Sequence, residues 1–375
     1  MRPDGPSAHA KMSDGRRSTQ RQWWLRLSLS LVIGAGFCFA LIRRIELVPP
    51  DPWVPAWVLP SYLATLVAYF VFRAGRWHYL VAPLADPREE SIGLRTTLPV
   101  SMAGTMWIMV LPLRLGELAR PLFLAQKSKI GVGQALGTVA IERVVDGLFV
   151  CGLFFASLPL LPEVHGEQAL AVERLRSLGL LASGGLFAVL VVLLAMALSP
   201  VRVGRLVAAT IGRVIPRLAD KLELLARSVA EGLAALPSVA PLLKFLAGTV
   251  AYWGANALGT WLLARGCGLD ISFPAALAMM SVLGISLLIP GGPGQFGIFH
   301  YGMILGLSMF VSEAVVHEQG SVFIFWMFVT QLSMGVVLGV IAQRMLALDW
   351  RATLSGSPSA PPDTSPGTEP SDPHS

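Results

Sequence analysis

Long apolar runs separated by short polar segments dominate the chain. The runs lie at 27–48, 53–72, 94–113, 133–161, 178–199, 243–265, 272–311 and 320–343. A bilayer core about 30 Å thick needs roughly 20 apolar residues for each crossing helix, and several of the runs reach that length. The pattern predicts an all-α polytopic membrane protein.

Composition supports this interpretation and separates the membrane part from its ends. Hydrophobic residues make up 54% of the chain and charged residues 14%, and the mean hydropathy is +0.63. Soluble domains carry about 25% charged residues. Residues 1–26 are polar and basic, and residues 349–375 are mainly Ser, Pro, Gly, Thr and Asp, so both ends are predicted to be disordered tails around a membrane domain at 27–348.

The distribution of Lys and Arg predicts the orientation, because basic loops stay in the cytoplasm. Nearly all basic residues lie in the N-terminal tail, around 73–95, 114–129 and 202–244, and near the C-terminal end. We therefore expect the chain to lie in the cytoplasmic (inner) membrane, with both termini in the cytoplasm. Basic and apolar residues alternate at helical spacing within 200–242, which predicts an amphipathic cytoplasmic segment facing anionic lipids of the inner leaflet or packing on helix ends.

Two apolar runs cannot be simple crossings. If 94–113 crossed fully, the basic residues after it would be exported, so a re-entrant hairpin fits better. The run 272–311 contains Pro290, Gly291, Gly292, Pro293, Gly294 and Gln295, and no continuous helix survives that sequence. We expect a second half-helix to begin near Gln295 or Phe296 and to direct its N–H groups at an anion. The prediction is about six full transmembrane helices and two re-entrant or broken hairpins.

Charged residues lie deep inside the run 133–161. Glu142, Arg143 and Asp146 stand roughly 14 to 20 Å along it at 1.5 Å per residue. Each unpaired charge at the bilayer centre costs about 2.5 to 3.5 kcal/mol on insertion scales. Arg143 and Asp146 are spaced to pair at i, i+3. These residues form either a structural ion-pair network or part of a polar pathway.

Further arginines precede this run. Arg114, Glu117 and Arg120 recur every three residues, which predicts one face of a short helix that Pro121 ends. Such a face suits a phosphate, although ordinary surface charge explains it as well. Arg73 and Arg76 close the second apolar run, and we expect them to anchor it at the interface.

These motifs together resemble one known family. The segments Arg73–Trp77, Arg114–Pro121, Glu142–Asp146 and Pro290–Gly297, in this order and spacing, are similar to the lysylphosphatidylglycerol synthase transmembrane family. The resemblance covers about 30–343. It implies a bacterial or archaeal membrane domain with a flippase-like role, which in two-part relatives moves an aminoacylated phospholipid. Stand-alone members are mostly uncharacterised or are tied to lipid-linked sugars, isoprenoid lipids or hopanoids.

Two departures from the family pattern bear on function. The family often has an acidic residue shortly after the glycine loop, where this chain has His300. An imidazole there can titrate near neutral pH or can serve as a packing residue. No aminoacyl-transferase domain follows the membrane part, so we do not expect the chain to synthesise lysylphosphatidylglycerol.

Three function classes remain open at the level of sequence. A flippase for a phospholipid or lipid-linked substrate with an anionic headgroup explains the hairpins and the buried charges. The alternatives are an intramembrane enzyme acting on lipid-linked headgroups and a non-transporting partner of a lipid-pathway enzyme. The sequence has no Gly-x-Ser-x-Gly or His-Glu-x-x-His motif and no metal-ligand spacing, so neither catalytic residues nor a cofactor or metal is predicted. Nucleic-acid binding is not expected.

Overall fold

A computed structural model describes residues 45–85, 92–111, 116–160, 239–287 and 292–348, with isolated positions within 28–39 and 170–191 and at 289. The tails 1–26 and 349–375 and most of the segment 200–242 lie outside the described residues. So do three of the candidate site residues: Arg114, Pro290 and Gly291.

The continuous described stretches form ten α-helices and no strand, and the isolated described positions within 28–39 and 170–191 are also helical. The helices are α1 (Val58–Arg76), α2 (His78–Val81), α3 (Leu94–Val110), α4 (Ala119–Lys127), α5 (Val132–Ser157), α6 (Val239–Gly266), α7 (Phe273–Ser286), α8 (Ile298–Leu307), α9 (Glu313–Val315) and α10 (Ser321–Met345). Short 3₁₀ turns lie at Ala82–Leu84, Leu158–Leu160 and Pro293–Gln295, and a π-helical turn at Val316–Gly320 joins α9 to α10. The predicted all-α fold is confirmed.

Two of the described helical segments are long and apolar enough by themselves to cross a bilayer. They are Val58–Leu84 and Glu313–Met345. Helix α5 has 26 residues, but it carries three charged side chains near its middle. The charged side chains of α5 therefore need partners from other helices, and the packing supplies them.

Helices α1 and α6 pack side by side in opposite directions. Glycines on α6 face α1 at successive levels: Gly266 meets Val58, Gly259 meets Thr65, and Gly248 meets Arg76. A Cβ at these positions would overlap the α1 side chains, so the missing side chains are what allow the close approach. This contact places Arg76 in the protein interior rather than at its edge.

Helices α3 and α4 form the first hairpin. The stem of the Arg120 side chain lies against Gly104, where a Cβ would overlap it. Gly116 in the connecting turn lies directly on the backbone of Trp107. The prediction that Pro121 ends this helix is wrong: α4 begins at Ala119 and runs to Lys127. Proline is tolerated in a first turn because its missing N–H has no helical acceptor there.

Helices α7 and α8 form the second hairpin, and the predicted break between them is confirmed. The break contains three residues with positive φ: Gly294 at 68°, Gln295 at 59° and Gly297 at 85°. Because an α-helix cannot include that conformation, α8 begins at Ile298 rather than at Gln295 or Phe296.

The glycine loop of the second hairpin lies against the end of α3 in the first hairpin. A Cβ on Gly294 would lie 3.8 Å from the backbone oxygen of Met109, near the end of α3. Helix α10 packs along α3, with Gly335 against Met109 and Gly339 against Met106. The glycine loop and helices α1, α3, α5, α6, α7 and α10 surround a common interior region.

Candidate functional site

A buried ion cluster links α1 to α5. The Arg76 guanidinium donates through Nη2 to Glu142 Oε1 at 3.1 Å and to Asp146 Oδ2 at 2.7 Å. Arg76 is 1% exposed and Glu142 is 0% exposed. The interpretation of Arg76 as an interfacial anchor is therefore wrong, because α6 covers the end of α1 and turns the side chain inward.

The first hairpin adds a second arginine to the cluster. Arg120 donates through Nη1 to Glu142 Oε1 at 3.2 Å, and its Nη2 forms an ion pair with Glu142 Oε2. Its guanidinium carbon lies 4.6 Å from the ring centre of Trp77. The Trp77 indole in turn donates to Thr138 Oγ1 on α5 at 3.0 Å. Glu142 thus holds arginines from α1 and α4 at once.

Helix α6 completes the shell around Arg76. Thr249 Oγ1 accepts from Arg76 Nη1 at 2.7 Å, and the Tyr252 hydroxyl donates to Asp146 Oδ1 at 2.9 Å. The Arg76 guanidinium carbon lies 4.3 Å from the ring centre of Tyr252 and 5.0 Å from that of Phe245. Aromatic faces attract a desolvated cation, so the cluster stabilises Arg76 by both ion pairs and ring contacts.

Arg143 is the least buried arginine of the cluster core. Its Nη2 donates to Glu142 Oε1 at 2.8 Å and lies 3.7 Å from Asp146 Oδ2, and its side chain is 25% exposed. Half-buried Glu117, in the turn before α4, also interacts with it electrostatically. The predicted Arg143–Asp146 pair exists, but Asp146 makes its shorter contact with Arg76.

A cavity of about 130 Å³ opens beside the cluster. It has room for several water molecules. Its walls come from α1, α3, α5, α6, α7, the break after α7, and α10: Tyr69, Arg73, Thr105, Ile108, Met109, Arg143, Asp146, Gly147, Val150, Tyr252, Trp253, Gly284, Ile285, Leu287, Gln295 and Gln331. The cavity therefore touches both the ion cluster and the second hairpin.

Two buried hydrogen-bond donors on residues that line the cavity lack acceptors in the described part of the chain. Arg143 Nε and Trp253 Nε1 are buried and have no acceptor among the described residues. Arg73 donates to the Tyr69 hydroxyl at 2.9 Å, but within the described part of the chain no carboxylate lies within ion-pair distance of it. A buried donor without an acceptor costs about 1 to 3 kcal/mol, so a bound acceptor stabilises this arrangement.

The net charge of the cavity and the ion cluster together is positive, which also favours an anionic ligand. The described residues contribute four guanidinium groups (Arg73, Arg76, Arg120, Arg143) and three carboxylates (Glu117, Glu142, Asp146). With all seven ionised, the region carries a net charge of +1. An anion with several acceptor oxygens would complement both the charge and the unpaired donors.

The glycine loop reaches the cavity through Gln295. A Cβ on Gly294 would lie 3.7 Å from the Leu332 side chain, so this glycine packs against α3 and α10. Gly292 is buried, and neither glycine lines the cavity. His300 is 2% exposed, and its ring centre lies 4.9 Å from that of Phe296 and 4.7 Å from that of Phe328. Its Nδ1 has no partner among the described residues. The ring contacts favour a packing role for His300.

Sequence reasoning missed part of the site. Arg73, Tyr252 and Trp253 line the cavity, and Arg76 and Thr249 complete the cluster. The spacing of Arg73 and Arg76 at the end of an apolar helix is also that of an interfacial anchor. Only the packing of α6 on α1, through Gly248, shows that Arg76 is a buried member of the cluster and not an interfacial anchor.

Comparison with known proteins gives one match. The family model for the lysylphosphatidylglycerol synthase TM region matches residues 23–339. No curated protein and no solved structure gives a significant match. The family match covers all ten described helices except the last few residues of α10, as well as the buried cluster and both hairpins. The chain is a polytopic helical membrane protein that belongs to the lysylphosphatidylglycerol synthase transmembrane family.

Proposed function

We propose that the protein moves a lipid with an anionic headgroup across the membrane, and that the headgroup passes through the cavity beside the ion cluster. The observation that carries the proposal is a set of cavity donors without partners among the described residues: Arg73 has no carboxylate there, and Arg143 Nε and Trp253 Nε1 have no acceptor. The family match supports a role related to lipids.

The size of the cavity indicates which part of a lipid it holds. About 130 Å³ accommodates a small polar group but no acyl chains. The chains would therefore stay in the bilayer while the phosphate contacts the cavity. Arginine suits this contact because its planar guanidinium offers paired donors to phosphate oxygens and remains charged when desolvated.

Both hairpins are proposed to be re-entrant, with the glycine loop and the end of α3 at membrane depth. Non-helical backbone is tolerated there only where protein or a wet cavity satisfies its polar groups. The contact between Gly294 and Met109 and the cavity next to Gln295 provide such surroundings.

The orientation proposed from the basic loops places both termini and the α4–α5 connection in the cytoplasm. Single cysteines at Ser128, Ser228 and Ser357 should then be protected from an impermeant thiol reagent added to intact cells. A cysteine at Glu167 should react. Permeabilised cells serve as the control, because all four positions should label there. External labelling at Ser128 would contradict the re-entrant first hairpin.

The transport proposal is tested with purified protein in liposomes. Fluorescent phosphatidylglycerol should become accessible to an impermeant quencher several-fold faster than in protein-free liposomes, and faster than fluorescent phosphatidylcholine. The headgroup preference is expected because the cavity carries net positive charge and donors that have no acceptor among the described residues.

The same liposomes separate the rival function classes. An intramembrane enzyme would change the headgroup, which mass spectrometry of the extracted lipids detects. An accessory subunit would neither move nor modify the lipid. Absence of accelerated movement for phosphatidylglycerol and for an isoprenoid phosphate would contradict the transport proposal.

A further inference from the structure

A groove on the outer surface of the helices lies apart from the cavity. It has a volume of about 520 Å³, within the roughly 300 to 1,000 Å³ of ligand pockets. Its walls come from α1, α2, the first turns of α3, and α6: Val71, Phe72, Gly75, Arg76, Tyr79, Leu94, Leu98, Lys244, Ala247, Gly248 and Ala251. Apart from Arg76, Tyr79 and Lys244, these side chains are apolar or absent.

The groove and the cavity lie on different faces of α1. Tyr69 and Arg73, one turn apart, face the cavity. Phe72 and Gly75 face the groove. Phe72 is 44% exposed, so this face of α1 contacts lipid in a membrane protein. The groove is thus a slot in the lipid-facing surface, and an acyl chain is the group that would fill it.

The two ends of the groove differ in charge. Lys244 is exposed, and within the described part of the chain no carboxylate lies within ion-pair distance of it. Its Nζ lies 5.9 Å from the centre of the Tyr79 ring. Ala251, at the other end, stands seven residues further along α6, or about 10 Å at 1.5 Å per residue. A molecule that matches the groove has an anion at one end and a chain about 10 Å or longer behind it.

A second observation at the floor of the groove also indicates an acceptor. Arg76 lines it, and the Nε of this buried arginine has no hydrogen-bond partner among the described residues. Gly248 lies against the stem of the same side chain, where a Cβ would crowd it. The groove therefore places the exposed Lys244 ammonium group above a narrow apolar channel whose floor includes a buried guanidinium.

We infer that this groove binds an anionic phospholipid of the surrounding leaflet, with its phosphate at Lys244 and one acyl chain between α1 and α6. A lysine near the membrane surface favours anionic lipids by about ten-fold at most. This lipid is distinct from the molecule proposed to pass through the cavity, because α1 separates the two places.

The test uses the full-length protein in nanodiscs of phosphatidylcholine that contain a small fraction of phosphatidylglycerol carrying a photoreactive group in one acyl chain. Peptide mapping should place the crosslinks at 71–79 and 244–251. Lys244→Glu should reduce their yield roughly five- to ten-fold, whereas Lys244→Arg should stay near wild type. Equal labelling by a matched phosphatidylcholine probe would overturn the proposal.

A matched pair of variants tests the channel itself. Ala247→Phe fills the groove and should abolish the crosslinks. Val250→Phe adds the same ring to a lipid-facing position of α6 outside the groove and should leave them unchanged. If both variants label like wild type, or if α6 crosslinks to a second copy of the chain instead of to lipid, the groove does not hold a phospholipid. Arg143→Gln, which alters the cavity, should leave labelling intact even if transport fails.

Discussion

Replacing Glu142 with glutamine should cost about 3 to 5 kcal/mol of folding free energy. Glu142 is fully buried and forms ion pairs with Arg76, Arg120 and Arg143. Without its charge, three guanidinium groups would face one another, with Asp146 as the remaining carboxylate of the cluster core. The measurement is the yield of monodisperse protein and its thermal midpoint in detergent. Glu318→Gln, at an exposed position, should change stability by less than about 0.5 kcal/mol.

A second substitution shows whether the loss comes from unpaired charge. Arg120→Met in the Glu142→Gln background removes one of the uncompensated cations and retains an unbranched side chain next to Gly104. The double variant should recover part of the stability that the single variant loses, so the two effects should not add. Additive effects would mean that Arg120 and Glu142 are not energetically coupled. A double variant that folds but moves no lipid would assign the pair to the transport pathway.

The fold could be predicted to the extent that local patterns determine it. The glycines and prolines of 290–297 interrupt the helix whatever surrounds them, and the structure contains that break. The start of α8 could not be predicted, because the positive φ values of Gln295 and Gly297 depend on how the loop packs against α3 and α10. The helix boundary predicted at Pro121 was wrong for a similar reason. A proline can follow the end of one helix or lie in the first turn of the next, and the local sequence does not distinguish the two.

The site shows the same division between local and long-range information. Glu142 and Asp146 are conspicuous because they interrupt an apolar run, and sequence reasoning found both. It paired Asp146 with Arg143, the neighbour at i, i+3, although the shorter contact comes from Arg76, 70 residues away along the chain. Helical spacing reports contacts within one helix only. Arg76 is buried because Gly248 lets α6 approach the end of α1 closely. The sequence around residue 76 gives no sign of this contact.

Arg73→Gln should slow the movement of anionic lipid by roughly ten- to hundred-fold and leave the thermal midpoint near that of the wild type. Arg73 lines the cavity and donates to Tyr69, but it makes no ion pair with a carboxylate of the described residues. Its loss therefore strands no buried charge, unlike the loss of Glu142. A hydrogen bond to a charged group contributes about 1.5 to 3 kcal/mol, which corresponds to that range of rates if the phosphate contacts Arg73 as it passes.

Two comparisons give this prediction its specificity. Arg73→Lys keeps the charge but loses the paired donors, so its rate should fall between those of the wild type and Arg73→Gln. Arg344→Gln removes a positive charge from the exposed end of α10 and should leave transport unchanged. The assay follows fluorescent phosphatidylglycerol in liposomes, with stability measured on the same purified samples. Wild-type transport by Arg73→Gln would remove the cavity from the headgroup pathway, because Arg73 is the cavity guanidinium that has no carboxylate partner among the described residues.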